Sequence, residues 1–157
     1  MAASGASAIT DDLTKKGIAI SFDATFFTSG APCENAYACH SSPLLPPPNE
    51  PSEKPFIVLN PILLSEDPSA VAAVLVHEGT HFQQFLDGSI HNEAAGNLTI
   101  VDIEFRAFWN AAVYWGSVRS GLAPFNTQLT ADLESLYNLA LQGEAALRNE
   151  IAARYGA

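Results

Sequence analysis

The sequence predicts a single α+β domain, residues 1–157, in which a small, mostly antiparallel sheet packs against three or four helices. Three observations lead there. The β-forming runs fall within the first 60 residues. From residue 68 onward long apolar segments carry helix caps and helix breakers at their ends. A length of 157 residues with 48% hydrophobic residues suits one sizeable core.

Residues 1–16 are mostly small and polar and read as a frayed end. GIAISFDATFF, residues 17–27, holds enough β-formers for a strand or two. Residues 28–55 read as one long connection, rich in cysteine and proline. Six of the ten prolines lie between Pro43 and Pro55, which excludes helix and favours extended geometry. A stiff surface loop is the favoured reading. The sharper hypothesis is that this connection, or the N-terminal segment, covers a cleft as a latency device. FIVLN, residues 56–60, is a short strand closed by Pro61 and suited to a sheet edge.

A first helix runs from about Ser69 to Leu86, with Ser65 or Asp67 as cap, Pro68 in its first turn and Gly88 as stop. A second runs from about Asn92 or Ala94 to Ser117. Gly121 and Pro124 break the chain. The remainder is an amphipathic helix with Leu129, Leu133, Leu136, Ala140, Leu147 and Ile151 on one face, bent or split at Gly143.

Charge and composition exclude several function classes. Seven basic against seventeen acidic residues give a net charge of −10, which repels nucleic-acid backbones and anionic membranes. No apolar run approaches the roughly 20 residues of a membrane-spanning helix. No signal peptide is visible at the start. Cys33 and Cys39 are too few for a disulfide scaffold. They form a local disulfide if the protein is secreted or held in the cell envelope, and stay free thiols in the cytoplasm. A metal site built from Cys33, Cys39 and His40 is the weakest alternative.

The chemistry concentrates in His77-Glu78-Gly79-Thr80-His81. Residues four apart on a helix differ by about 40° in direction and one turn in height, so His77 and His81 can ligate one zinc ion. Glu78 is beside them without being a ligand. Zinc lowers the pKa of a bound water towards about 7, and a carboxylate placed like Glu78 takes its proton as general base. The competing reading, two core histidines bonded to carbonyls, must bury two imidazoles and a carboxylate.

Hydrolytic zinc needs a third protein ligand. Asp87, His91, Asp102 and Glu104 lie downstream. Asp87 follows His81 by six residues, but Gln84 stands where a sharp turn would need glycine. Glu104 is the choice, because a carboxylate in the apolar run IVDIEFRAFW is costly unless it is paired or bound to metal. The bland reading of Glu104 is a salt bridge, with Arg106 or another cation. The Gln83–Gln84 pair either bonds near the cleft or faces solvent. Asn97-Leu98-Thr99 matches a glycosylation acceptor but falls within a predicted helix.

VLVHEGTHFQQ, followed 23 residues after His81 by Glu104 in EFRA, resembles the gluzincin group of zinc metallopeptidases, and the short chain resembles its minimal single-domain members. The resemblance covers roughly Phe56 to Ser117. It implies a zincin-like fold with a mixed sheet beside the active-site helix. It implies His77, His81 and Glu104 as Zn2+ ligands and Glu78 as general base. It also implies a peptide substrate laid along an edge strand, for which FIVLNP is the candidate. Phe108 stands where larger members carry a histidine-orienting acid, and Asp102 is a poor substitute. For oxyanion stabilisation the candidates are His91 and Tyr114.

The expected function is therefore zinc-dependent peptide hydrolysis. The rival is a non-catalytic zinc-binding or interaction module, its fourth coordination position closed by Cys39, His91 or Asp87. Hydrolysis of a non-peptide amide is a third possibility.

Overall fold

A computed structural model describes residues 9, 13, 15, 17–31, 33–41, 55–90, 96, 98–122 and 125–156. The prolines from Pro43 to Pro51, His91 and the Asn97 acceptor lie outside the described residues. Among the described residues, the strands β1 (Ala19–Phe22), β2 (Ala38–Ser41) and β3 (Phe56–Leu59) precede the long helices α1 (Pro68–Leu86), α2 (Ile100–Val118), α3 (Gln128–Gln142) and α4 (Glu144–Tyr155). The class is α+β, as the sequence predicts.

The sheet departs from expectation in two ways. Its order is β1-β3-β2, with β1 parallel and β2 antiparallel to β3, so it is mixed, as the resemblance implies, rather than mostly antiparallel as the β-forming runs suggest. FIVL is the central strand, not an edge. Ile57, Val58 and Leu59 are buried there, as a continuous apolar run demands of a strand covered on both sides. The edge beside the helices is β2, Ala-Cys-His-Ser, from within the predicted connection. Its residues have little strand preference of their own. Pairing in register with β3 and a disulfide between Cys33 and Cys39 hold it.

The helix ends follow local rules. Asp67 accepts from the Ser69 amide at 2.7 Å and Pro68 occupies the first turn of α1. Gly88 at φ 80° follows the helix, a conformation glycine takes without steric cost. α2 begins at Ile100, later than the apolar pattern suggests, because Thr99 and Asp102 form a reciprocal capping box. Gly143, at φ 110°, separates α3 from α4 and turns the expected amphipathic helix into a pair.

The core has two parts. One joins the sheet to α1, Trp115 and the start of α3; the other lies among α2, α3 and α4. Residues of the expected frayed end enter the first. Ile9 and Leu13 are buried, and a Cβ on Gly79 would collide with the Ile9 side chain. Gly79 lies about 200° around α1 from His77. Ile9 and Leu13 therefore back this helix on the face away from the histidines.

A second close approach sets the α2–α3 distance. A Cβ on Gly116 would overlap the Tyr137 ring, with Cδ2 at 3.0 Å, and that ring lies under the Arg119 guanidinium at 4.9 Å. Gly116→Ala gains helix propensity of about 1 kcal/mol but forces the ring aside, at a typical cost of 1–3 kcal/mol. The expected net result is a loss of up to about 2 kcal/mol, seen as a lower urea midpoint with unchanged m value.

Candidate metal centre

α1 and α2 form the most extensive helix pair in the fold, and the site lies between them. α1 presents His77 and His81 from successive turns, and α2 presents Glu104. The two Nε2 atoms are 3.1 Å apart, and Glu104 places Oε2 3.5 Å from His77 Nε2 and Oε1 3.5 Å from His81 Nε2. With metal–ligand bonds near 2.0–2.1 Å, the edge of a tetrahedral coordination shell is about 3.3 Å. The two imidazole nitrogens thus already stand at about the spacing of two ligands in such a shell, with the Glu104 carboxylate beside them, and His77, His81 and Glu104 form a group suited to hold a metal ion.

Burial sharpens this fit. His81 and Glu104 are each 8% exposed, and Glu104 Oε2 is buried without a hydrogen-bond partner. Such an atom costs about 1–3 kcal/mol, more when charged, and a cation against it removes the cost. Burial is the largest influence on the Glu104 carboxyl and raises its pKa, but the nearby His77 and His81 outweigh it and hold the group well below the usual carboxylate range. For His81 burial again acts first, downward, and Glu104, Glu78 and Gln84 reverse it. Glu78, next to His77 and buried, is pushed up by desolvation, partly offset by both histidines.

Two further interactions shape the site from behind. Gln84, only 1% exposed, brings Oε1 within 2.8 Å of His81 Nδ1, and its amide nitrogen donates to the Ile103 carbonyl at 2.8 Å. Phe108 packs edge-on against His77 with ring centroids 4.5 Å apart.

The other acidic candidates are committed elsewhere. Asp87 caps the end of α1 and pairs with Arg106 at 2.7 Å, which also removes Arg106 as a partner for Glu104. Asp102 accepts from the Thr99 amide and from Arg148, and these bonds lower its pKa to about 2. Cys39 is in the disulfide, so no cysteine metal site with Cys33 and His40 exists. Of the three residues expected to close a fourth coordination position, Cys39 and Asp87 are thereby engaged, and His91 lies outside the described residues. Tyr114 packs against the first core cluster and does not line the cleft.

The triad opens into a cleft of about 970 Å3. β2 and the disulfide loop form one wall, α3 another, and the end of α4 a third. Tyr37 donates to Asp132 at 2.6 Å and so fastens the disulfide loop to α3. Of three further lining residues, the sequence reading named only His40, in the cysteine site, and missed Arg154 and Tyr155. His40 stands on β2 with its ring 6.1 Å from that of His81, and burial, then His81 and His77, lower its pKa to about 3. Tyr155 and Arg154 come from the last turn of α4. The Tyr155 hydroxyl is held in its neutral form first by burial and then by the nearby Glu104 carboxylate. Arg154 bonds Glu150 and lies over Phe108. Only the turn at Gly143 between α3 and α4, unreadable as such before the fold, brings these side chains back to residues 77–108.

Among the described residues no helix is long and apolar enough to cross a membrane. Set against known proteins, the chain matches no family model, no curated protein and no solved structure.

Proposed function

We propose that this protein is a zinc-dependent peptidase of zincin-like fold, related in design to the gluzincins. The observation that carries the reading is the His77–His81–Glu104 group, with His81 and Glu104 buried and an orphaned carboxylate oxygen, beside a buried Glu78 and open to a cleft. Three protein donors and an open side are the ligand count of a catalytic rather than a structural zinc. When bound, zinc would polarise a carbonyl and acidify water.

The chain's own residues supply the rest. Glu78 is not a donor of the triad, and its buried carboxylate takes the proton of the attacking water and passes it to the leaving amine. Tyr155 donates from its neutral hydroxyl towards the oxygen on which charge develops, the role the sequence reading gave to His91 or Tyr114. β2 is the edge strand on the cleft, so an extended peptide pairs along Ala38–His40 rather than along FIVLNP. The disulfide suits a secreted or cell-envelope setting, where such bonds persist.

The test is cleavage of unstructured protein, such as casein, by the zinc-loaded chain. Cleavage should stop with a chelator and return with added zinc. One zinc per chain with no cleavage of casein or of peptide pools would leave a metal-binding module instead.

A further inference from the structure

We propose that Gln84 is the positioning residue of the metal centre: one buried side chain fixes the tautomer of His81 and locks the helix bearing the histidines to the helix bearing Glu104. The inference rests on the metal-centre reading above and concerns how that centre is pre-formed.

The argument begins with the amide's orientation. The Ile103 carbonyl only accepts, so the Gln84 group 2.8 Å from it must be the NH2 end. Its carbonyl Oε1 therefore faces His81 Nδ1, also at 2.8 Å. Oε1 only accepts as well, which leaves Nδ1 as the donor. A neutral His81 ring then has its lone pair on Nε2, the atom turned towards Glu104 and His77. The flipped amide would set two acceptors against each other at Ile103 and place a donor on Nδ1. That arrangement puts the ring proton on Nε2, where it blocks a metal ion.

The second bond has its own consequence. Ile103 immediately precedes Glu104, so its carbonyl moves with the ligand backbone. Gln84 spans the 19 residues between α1 and α2 and holds that carbonyl to the helix that bears both histidines. Both halves of the amide are used, which is the condition for burying it at 1% exposure. Glutamate would keep the acceptor for His81 and lose the donor to Ile103. Methionine keeps the volume and loses both. Glutamine is the side chain that serves both helices.

Outer-shell partners of metal-binding histidines are typically worth 10–100-fold in metal affinity. The experiment pairs Gln84→Met and Gln84→Glu with the parent chain. Ring-nitrogen NMR of the metal-free proteins reads the His81 tautomer, and competition with a chromophoric chelator reads the zinc dissociation constant. The expected result for Gln84→Met is loss of the fixed Nδ1–H form and zinc binding weaker by roughly 10–100-fold. Gln84→Glu should retain the Nδ1–H form. An unchanged Nδ1–H tautomer in Gln84→Met overturns the proposal, as does zinc affinity equal to that of the parent. Should Gln84→Met fail to fold, Gln84→Glu decides alone: loss of Nδ1–H there overturns the proposal, and its retention supports it. A parent chain that binds no zinc would sink the metal-centre reading, while the tautomer would still report on Gln84.

Discussion

Glu104→Ala should remove tight zinc binding while leaving the chain folded. The carboxylate is one of only three donors, so its loss should exceed the roughly 10–100-fold effect of an outer-shell partner. The fold should tolerate the change, because the deleted group is a buried charge whose Oε2 has no hydrogen-bond partner. Its removal relieves a desolvation cost even as it leaves a small cavity beside Ala107. Metal content of purified protein and a circular-dichroism melt check the two halves. Zinc retained near one per chain would reassign the third donor, and the available candidate would then be His91.

Glu78→Gln should keep zinc and lose hydrolysis. The amide preserves the shape of the carboxylate and cannot take a proton from water. Positioned general bases contribute about 10²–10⁴-fold, and the loss in turnover should reach that range. Because Glu78 is not in the donor triad, zinc affinity should stay close to that of the parent chain. The acid limb of the parent's rate profile should also lie above the ordinary carboxylate range. Burial raises the Glu78 pKa, so the base is protonated, and inactive, to a higher pH than an exposed glutamate would be. Undiminished turnover in Glu78→Gln would remove this residue from the mechanism.

Zinc binding itself should weaken as pH falls. The donors must be deprotonated to ligate, and the Glu104 carboxylate raises the His81 pKa in the metal-free chain. Affinity should therefore rise with pH through that raised value and then level off. Chelator competition across pH measures it.

What the sequence made legible was local. The Asp67 cap, Pro68, the i, i+4 histidines and the break at Gly143 each follow from neighbours within a turn or two. Glu104 was legible for a different reason: charge in an apolar helix is costly enough to require a partner. The rest depended on distant contacts. Four residues of β2 carry no strand signal without β3 beside them. The centre-versus-edge place of FIVL follows from a β1 pairing that its own pattern does not encode. Ile9 and Leu13 looked like an unanchored end because their partner, bare Gly79, offers no side chain to read. Tyr155 lies 51 positions beyond Glu104, and only the turn at Gly143 returns it to the cleft.

The packing of Ile9 and Leu13 behind Gly79, with Tyr155 in front of Glu104, also orders assembly in time. Emerging from the ribosome, the chain makes its metal donors by residue 104 but completes the third wall of the cleft only with the last turn of α4. Both closures span long stretches of sequence and are entropically late. A nascent chain therefore holds His77, His81 and Glu104 before it has the α4 residues that complete the wall of the cleft beside them.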